Sequence, residues 1–295
     1  MMAQEDIRER FHADPTQFIR SAIKEHVSSS PLNRLPSFAN SPIFEEPLVG
    51  FASGDDPIFE QFKSVVAESH QMPRDVLPIT QGPVSVVSIV LPISRETKLS
   101  NRLETGGPSL RWNHTRWQGQ DYITDLSRYL VSLLKEMGHQ AVAPELAESF
   151  QIHALPELAS NWSQRHVAYA AGLGTFSLSD GLITPKGIAM RCLSIVTDIE
   201  LLATPRPYAD YQTNCLFYRD GSCKKCTERC PGGAITERGH DKERCRQVLF
   251  EFQRSFMEGA RGEGYIGRYA GCGLCQTDVP CESRIPFAGQ ESADG

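Results

Sequence analysis

The sequence predicts two domains of different character, an α/β domain in front and a small cysteine-rich domain behind it. Three observations carry this reading. Of nine cysteines in 295 residues, none precedes Cys192 and eight fall between Cys215 and Cys281. Ahead of them, apolar residues repeat with helical and then strand periodicity, as expected of helices layered on a sheet. Between the two regions, ATPRPYADYQTN (203–214) carries two prolines and no apolar period, which marks a linker. The resulting division is an N-terminal extension over 1–80 packed on the front domain, an α/β cofactor-binding domain over 81–205, and a metal domain over 206–295. At about 150 residues per domain, this length suits two domains, and it is enough chain to bury a core without disulfides.

The elements follow in order. DPTQFIRSAIKEHVSSS (14–30) reads as a short amphipathic helix. SPLNRLPSFANSPIFEEP (30–47), with four prolines, reads as an extended segment on the surface. In DPIFEQFKSVVAES (56–69), Ile58, Phe59, Phe62, Val65 and Val66 form one helical stripe, with Asp56 as the N-cap. Val84, Val86, Val87, Ile89 and Val90 are β-branched and predict a buried strand over 84–91. The clearest helix is 120–138, where Tyr122, Ile123, Leu126, Tyr129, Leu130, Leu133, Leu134 and Met137 recur at three- and four-residue spacing before Gly138. A short strand at 139–144, a helix at 163–174 closed by glycines, and strands at 181–184 and 192–197 complete the front domain.

The cysteines read C215-x7-C223-x2-C226-x3-C230-P, then C245, then C272-x2-C275-x5-C281. Bacterial two-cluster ferredoxins carry C-x2-C-x2-C-x3-C-P, in which the fourth cysteine ligates the other cluster. Here the last three members stand in SCKKCTERCPGGAI (222–235), Asp220 occupies the first position, and Cys215 lies five residues upstream. Short spacings wrap thiolates around one cube, and the proline turns the chain so that the next thiolate faces a second. Eight ligands suffice for two [4Fe–4S] clusters, one held by Cys215, Cys223, Cys226 and Cys281, the other by Cys230, Cys245, Cys272 and Cys275. Cys215 and Asp220 compete for the last position of the first cluster. A zinc ribbon is the competing reading of paired C-x2-C motifs, but three closely spaced cysteines with a Cys-Pro turn favour iron–sulfur. Cys192, in AMRCLSIVTD, reads as a buried small hydrophobe.

Composition removes other classes. The chain is 40% hydrophobic and 22% charged, with a net charge of −6. That charge argues against a nucleic-acid partner, since phosphate neutralisation needs an excess of Lys and Arg. The N-terminus lacks the apolar core of a secretory signal and a twin-arginine leader, and no run is long enough to span a membrane. The expectation is a cytoplasmic protein with no membrane partner, whose cysteines are reduced.

The stretch from about 110 to 285 resembles the epoxyqueuosine reductase family, cobalamin-dependent iron–sulfur proteins related to reductive dehalogenases. The resemblance rests on RHVAYAAGLGTFSLSDGLITPKGIAMRCLSIVTD (165–198), CKKCTERCPGGAI (223–235), DKERC (241–245) and YAGCGLCQ (269–276). It implies a nitroreductase-like front domain holding cobalamin and a ferredoxin-like domain delivering electrons to it. It places Gly172, Leu173, Gly174, Thr175 and Phe176 against the corrin, where glycines allow close approach of backbone. Three departures stand out. The family's acidic proton donor falls on Gln164, which cannot act as a carboxylic acid. The lysine-bearing segment after the glycines becomes SLSDG (177–181). The helical repeats with which that family grips tRNA are absent from these 295 residues. These departures point to a reductase of a small organic molecule, fed by an external donor such as a ferredoxin or flavodoxin. An electron-transfer or activator protein, or a reductase with FMN in the front domain, are the alternatives. His166, Tyr169, Asp180 and Glu157 are the nearby acid–base candidates, and Trp112, His114 and Trp117 are candidates for lining a pocket.

Overall fold

The computed structural model describes residues 4–153, 158–257, 263–267 and 271–287; side chains are described up to residue 250 and again from 263. The chain opens with helices α1 (Gln4–Ala13) and α2 (Pro15–Ser29). Asp14 caps α2 by accepting the Gln17 N–H at 2.9 Å, and Pro15 sits in the first turn, where its missing N–H costs nothing. Ile19, Ala22, Ile23 and Val27 form its buried stripe. The proline-rich stretch differs from expectation. It forms a small hairpin of β1 (Arg34–Leu35) and β2 (Ser41–Pro42) and drives Leu35, Ile43 and Phe44 into the core. Asn33 fixes it: the amide donates to the Val27 and Phe44 carbonyls, and its oxygen accepts the Phe44 N–H.

Next come β3 (Leu48–Ser53), α3 (Ile58–Val65), the short α4 (Pro73–Val76) and β4 (Ser85–Pro92). Asp56 accepts the Ile58 N–H at 3.0 Å in the turn that leads into α3, but the N-cap position itself falls on Pro57, one residue later than the sequence indicated. Ile58, Phe59 and Phe62 are buried, but Val65 is exposed, because the helix ends there and the stripe runs off its end. The helices α5 (Arg95–Arg102) and α6 (Leu110–Glu136) precede β5 (Ala141–Val142), β6 (Ile152–His153) and β7 (Ala159–Ser160). Then follow α7 (Gln164–Ala170), β8 (Thr175–Phe176), β9 (Leu182–Ile183) and β10 (Met190–Thr197). The cysteine-rich part contains α8 (Leu216–Asp220), α9 (Lys225–Arg229), β11 (Ile235–Thr236), β12 (Gly239–His240) and α10 (Lys242–Met257).

The central sheet has strand order β3-β4-β10-β5 and every pairing is antiparallel. Its edge strand β3 comes from the N-terminal 80 residues, and Thr204 of the 203–214 stretch pairs with Phe51 on that edge through backbone and side chain. Every residue of β4 is buried, and β4 is covered on both faces. One core lies under α2 and α6, with Ile23, Phe44, Val87, Ile89, Leu126 and Leu130. The other lies under α3 and α7, with Phe59, Phe62, Val86, Val90, Trp162 and Val167. Burying side chains on alternate faces explains why β4 reads as an unbroken apolar run.

The helix α6 begins at Leu110, ten residues before the apolar period starts. Its first turns bury Trp112, Asn113, His114 and Thr115 against the cysteine region. The Trp112 indole donates to the Gly271 carbonyl at 3.0 Å, Asn113 exchanges two hydrogen bonds with Ile266, and His114 Nε2 donates to the Gly264 carbonyl at 2.8 Å. Beside it, Asn101 donates to the Cys272 carbonyl, Arg229 donates to carbonyls of Asn101, Glu104 and Thr277, and Arg102 forms a fork on buried Glu282. Buried backbone carbonyls need donors, and here α5, α6 and Arg229 of α9 supply them.

Candidate functional site

Eight of the nine cysteines lie in the cysteine-rich part, Cys192 standing apart on β10, and all nine are free of disulfides. Cys215, Cys223, Cys226, Cys275 and Cys281 line a small cavity, about 20 Å³, together with Leu178, Ile183, Ile188 and Val279. Their electrostatics separate them into groups. Burial pushes the Cys226 thiol up to about 12, with Cys215 and Cys223 adding to the shift. Burial likewise raises Cys281, and there the contributing neighbours are Cys215, Cys226 and Cys223. Cys245, raised to about 11 by burial, is coupled to Cys272 and Cys230. Cys275, buried and raised well above the ordinary thiol value, feels Cys272 and Cys245 first, then Cys226 and Cys230. Cys215, Cys223, Cys226 and Cys281 thus act on one another, Cys230, Cys245 and Cys272 act on one another and on Cys275, and Cys275 also feels Cys226.

Four thiols crowded in an apolar pocket resist ionisation, because each thiolate is desolvated and repels the others. A multivalent cationic centre reverses this and holds all four as thiolates. The donor set thus fits two four-cysteine centres. Among the described residues no three Cys, His, Asp or Glu side chains close around a single ion. Cys215 is buried in the cavity wall. Asp220, by contrast, is exposed, and its carboxylate accepts the Ser222 N–H at 2.9 Å, which caps a turn.

The segment predicted to face a corrin is engaged by the chain itself. Gly172, at φ +72°, has the Pro205 carbonyl where a Cβ would stand, and Gly174 has the Ile183 carbonyl there. The Thr175 hydroxyl accepts the Asn214 N–H at 2.8 Å and the residue is fully buried. Leu173 is buried in the core under α7. Phe176 is half-buried and packs on His166, with ring centroids 4.6 Å apart. At both glycines a Cβ would meet the chain's own backbone, so packing alone already requires glycine there.

The acid–base candidates fall into packing and turn positions. His166 lies among Phe62 and Phe176 and shares a hydrogen bond with Ser163 at 2.8 Å. Burial, reinforced by the Arg165 charge, lowers it to about 3, so it stays neutral. Tyr169 is raised by burial. Asp180 has φ +57° in the turn before Gly181. Burial pushes its carboxyl up, but the hydrogen bond and charge of His240 outweigh this and hold it below the usual range, ionised and bridged to β12. Glu157 lies outside the described residues. Cys192 is raised to about 12 by burial, and its sulfur lies 3.3 Å from that of Met190. Of the aromatic trio, Trp112 lines a second cavity, whereas His114 is bound to the 263–267 loop.

One acidic residue escaped the sequence. Glu145, in a turn after β5, is held above the usual carboxylate range by burial, although Arg191, Gln164 and Arg116 all act on it in the opposite direction. Gln164, the residue at the expected acid position, hydrogen-bonds to it, while the Gln164 Oε1 is buried without a partner.

A mixed α/β body followed by a part that carries eight cysteines defines the class. No family model matches the chain. It is 26% identical over 268 residues to the epoxyqueuosine reductase of Bacillus cereus, covering 81% of this chain and 62% of that one. Against the epoxyqueuosine reductase of Bacillus subtilis it is 24% identical over 273 residues, covering 92% of this chain and 63% of that one. Among solved structures, a reductive dehalogenase described as B12-dependent superposes with a TM-score of 0.50 at 15% identity, over 84% of this chain and 32% of that one. The relatives support an epoxyqueuosine reductase-like family, and the structural neighbour supports the mixed α/β fold. The chain spans under two thirds of the length of these curated relatives.

Proposed function

We propose that this chain is an oxidoreductase that uses two [4Fe–4S] clusters and a cobalamin to reduce a small organic substrate other than epoxyqueuosine in tRNA. The observation that carries it is the pair of cysteine quartets, packed by α5 and α6 against the α/β body. Cys215, Cys223, Cys226 and Cys281 would hold one cluster, and Cys230, Cys245, Cys272 and Cys275 the other. Cobalamin comes to the reading from the relatives alone, and when bound it would supply the low-valent metal that attacks the substrate. With Gly172 and Gly174 filled by backbone, contact with a flat cofactor in that segment falls to Phe176. An external ferredoxin or flavodoxin is the electron donor in this reading, and the chain acts in the cytoplasm. Among the described residues no helix is long and apolar enough to cross a membrane.

What the chain's own residues do is clearer. In this reading the quartets hold the redox centres at fixed separation, and α5 and α6 cover their edge. The alternative is an electron carrier or activator that serves a partner's cofactor. It is favoured by the same quartets together with the protein-filled glycines. Flavin has no support among the relatives. The test is anaerobic iron and sulfide quantitation with a visible spectrum before and after addition of cobalamin and gel filtration. About eight irons with a retained corrin band support the reductase. Eight irons with no band refute cobalamin and leave the carrier, and one or two zinc ions refute both.

A further inference from the structure

The helix α9 carries Cys226 and ends at Cys230, so it joins one cysteine of each quartet in the reading above. Its last residue, Arg229, is half-buried. The guanidinium reaches across the junction with the α/β body. Nε donates to the Thr277 carbonyl at 3.1 Å, and the two terminal nitrogens donate to the carbonyls of Glu104 at 2.9 Å and Asn101 at 3.2 Å. Asn101 lies in the last turn of α5, the end at which a helix favours a cation.

This charge is held without an acidic partner. All three hydrogen bonds go to neutral carbonyls, and among the described residues no carboxylate pairs with Arg229. The acids around it are engaged with other cations. Glu228 holds Lys225 at 2.9 Å, Glu282 holds Arg102 at 2.6 Å, and the charge of Asp278 acts on Lys225 and Arg102. A guanidinium keeps its proton at any ordinary pH, so a full positive charge is fixed here. It is felt at Cys272, where it favours the thiolate against burial and the charge of Cys230. Cys226 and Cys281 answer instead to burial, to the thiols of their own quartet and to backbone N–H groups. Reduction of an iron–sulfur cluster adds one negative charge, and its potential follows the net charge around it.

We propose that Arg229 orders the two redox centres: its fixed charge makes the cluster held by Cys230, Cys245, Cys272 and Cys275 the easier to reduce, so that an electron from the external donor rests there, beside α5 and α6. One electron passes from the reduced donor to the oxidised cluster, and no atom is transferred. The proposal rests on the iron–sulfur reading above and holds equally for a cobalamin acceptor or a partner's cofactor.

The test is an anaerobic redox titration of the full-length, cluster-loaded protein with dithionite, followed by electron paramagnetic resonance. Cys223→Ser spares the second quartet and so identifies its signal. In the wild type that cluster should be reduced at the higher potential. Arg229→Gln, with its iron intact, should cut the one-electron equilibrium constant of that cluster about tenfold, a drop of about 59 mV, and move the other cluster by less than about threefold. Arg229→Lys keeps the charge and loses the fork, so it should stay within about threefold of the wild type even where it lowers stability. That variant decides the matter if Arg229→Gln sheds iron. Lys225→Gln, exposed and paired with Glu228, should change neither cluster. An unchanged potential in iron-loaded Arg229→Gln, equal shifts at both clusters, a shift of about tenfold in Arg229→Lys, or a wild type whose other cluster is reduced first would each overturn the proposal. Wild-type protein that holds no iron would refute the iron–sulfur reading and this proposal with it, whereas loaded protein indifferent to Arg229 would refute the proposal alone.

Discussion

Gly273→Ala offers a sharp test of how the cysteine loop is seated. Gly273 has φ +65°, a conformation that costs an L-residue about 1 kcal/mol. A methyl group there would overlap the six-membered ring of Trp112. That indole is 5% exposed and tied by its N–H to the Gly271 carbonyl at 3.0 Å, so it cannot swing aside without losing a hydrogen bond of about 1 kcal/mol. Overpacking adds about 1–3 kcal/mol, for a total of about 3–5 kcal/mol. With a urea slope of about 1–3 kcal/mol per molar, the midpoint of cluster bleaching should fall by at least about 1 M. Trp112→Ala removes the obstruction, so the double variant should recover about 2 kcal/mol relative to additivity. A single variant within about 1 kcal/mol of wild type, or strictly additive effects, would refute the packing argument.

Other outcomes follow from the same geometry. Cys223→Ser and Cys275→Ser strike different quartets, so each should lower the iron count from about eight to about four; loss of all iron from both would show that the quartets are not independent. His70 is lowered to about 4 and His166 to about 3, both chiefly by burial, from an unfolded value of 6.5. Both are neutral when folded and take up a proton on unfolding, so stability is full above pH 6.5 and falls as acid is added. By pH 4.5 each should cost about 2–3 kcal/mol, and a urea series across that range should lose its slope when both are replaced by glutamine. Breaking the fork of Arg102 on buried Glu282 with Glu282→Gln should destabilise by about 2–3 kcal/mol in urea, less than a fully buried pair because Arg102 is half-exposed.

What the sequence made legible was what local pattern can encode. The β-branched run at 84–91 and the stripe through Tyr122, Leu126 and Leu130 both follow from spacing. What it hid is set by partners remote in the chain. The first turns of α6 look polar because Asn113 and His114 bond backbone carbonyls of Ile266 and Gly264 and Thr115 bonds the Thr97 hydroxyl, so no apolar period announces them. Leu35, Ile43 and Phe44 have no period because a hairpin with Asn33 as its tie places them. Glu145 shows no local signal at all, since its raised carboxyl comes from burial in the fold, against the pull of Arg191, Gln164 and Arg116. The glycines at 172 and 174 were legible as glycines, but what fills the space beside them was not.

The 27 residues of α6 form one rod of about 40 Å. One end lies on the sheet through Leu126, Leu130 and Leu134, and the other grips the loop that carries Cys272 and Cys275. A helix turns 100° per residue, so a single insertion near Gln120 would rotate Trp112 and Asn113 away from that loop while leaving the distal stripe in place. The length of this helix between its two anchors is therefore under stricter constraint than most of its side chains. Divergence in the molecule can proceed by substitution along α6, and insertions must fall elsewhere.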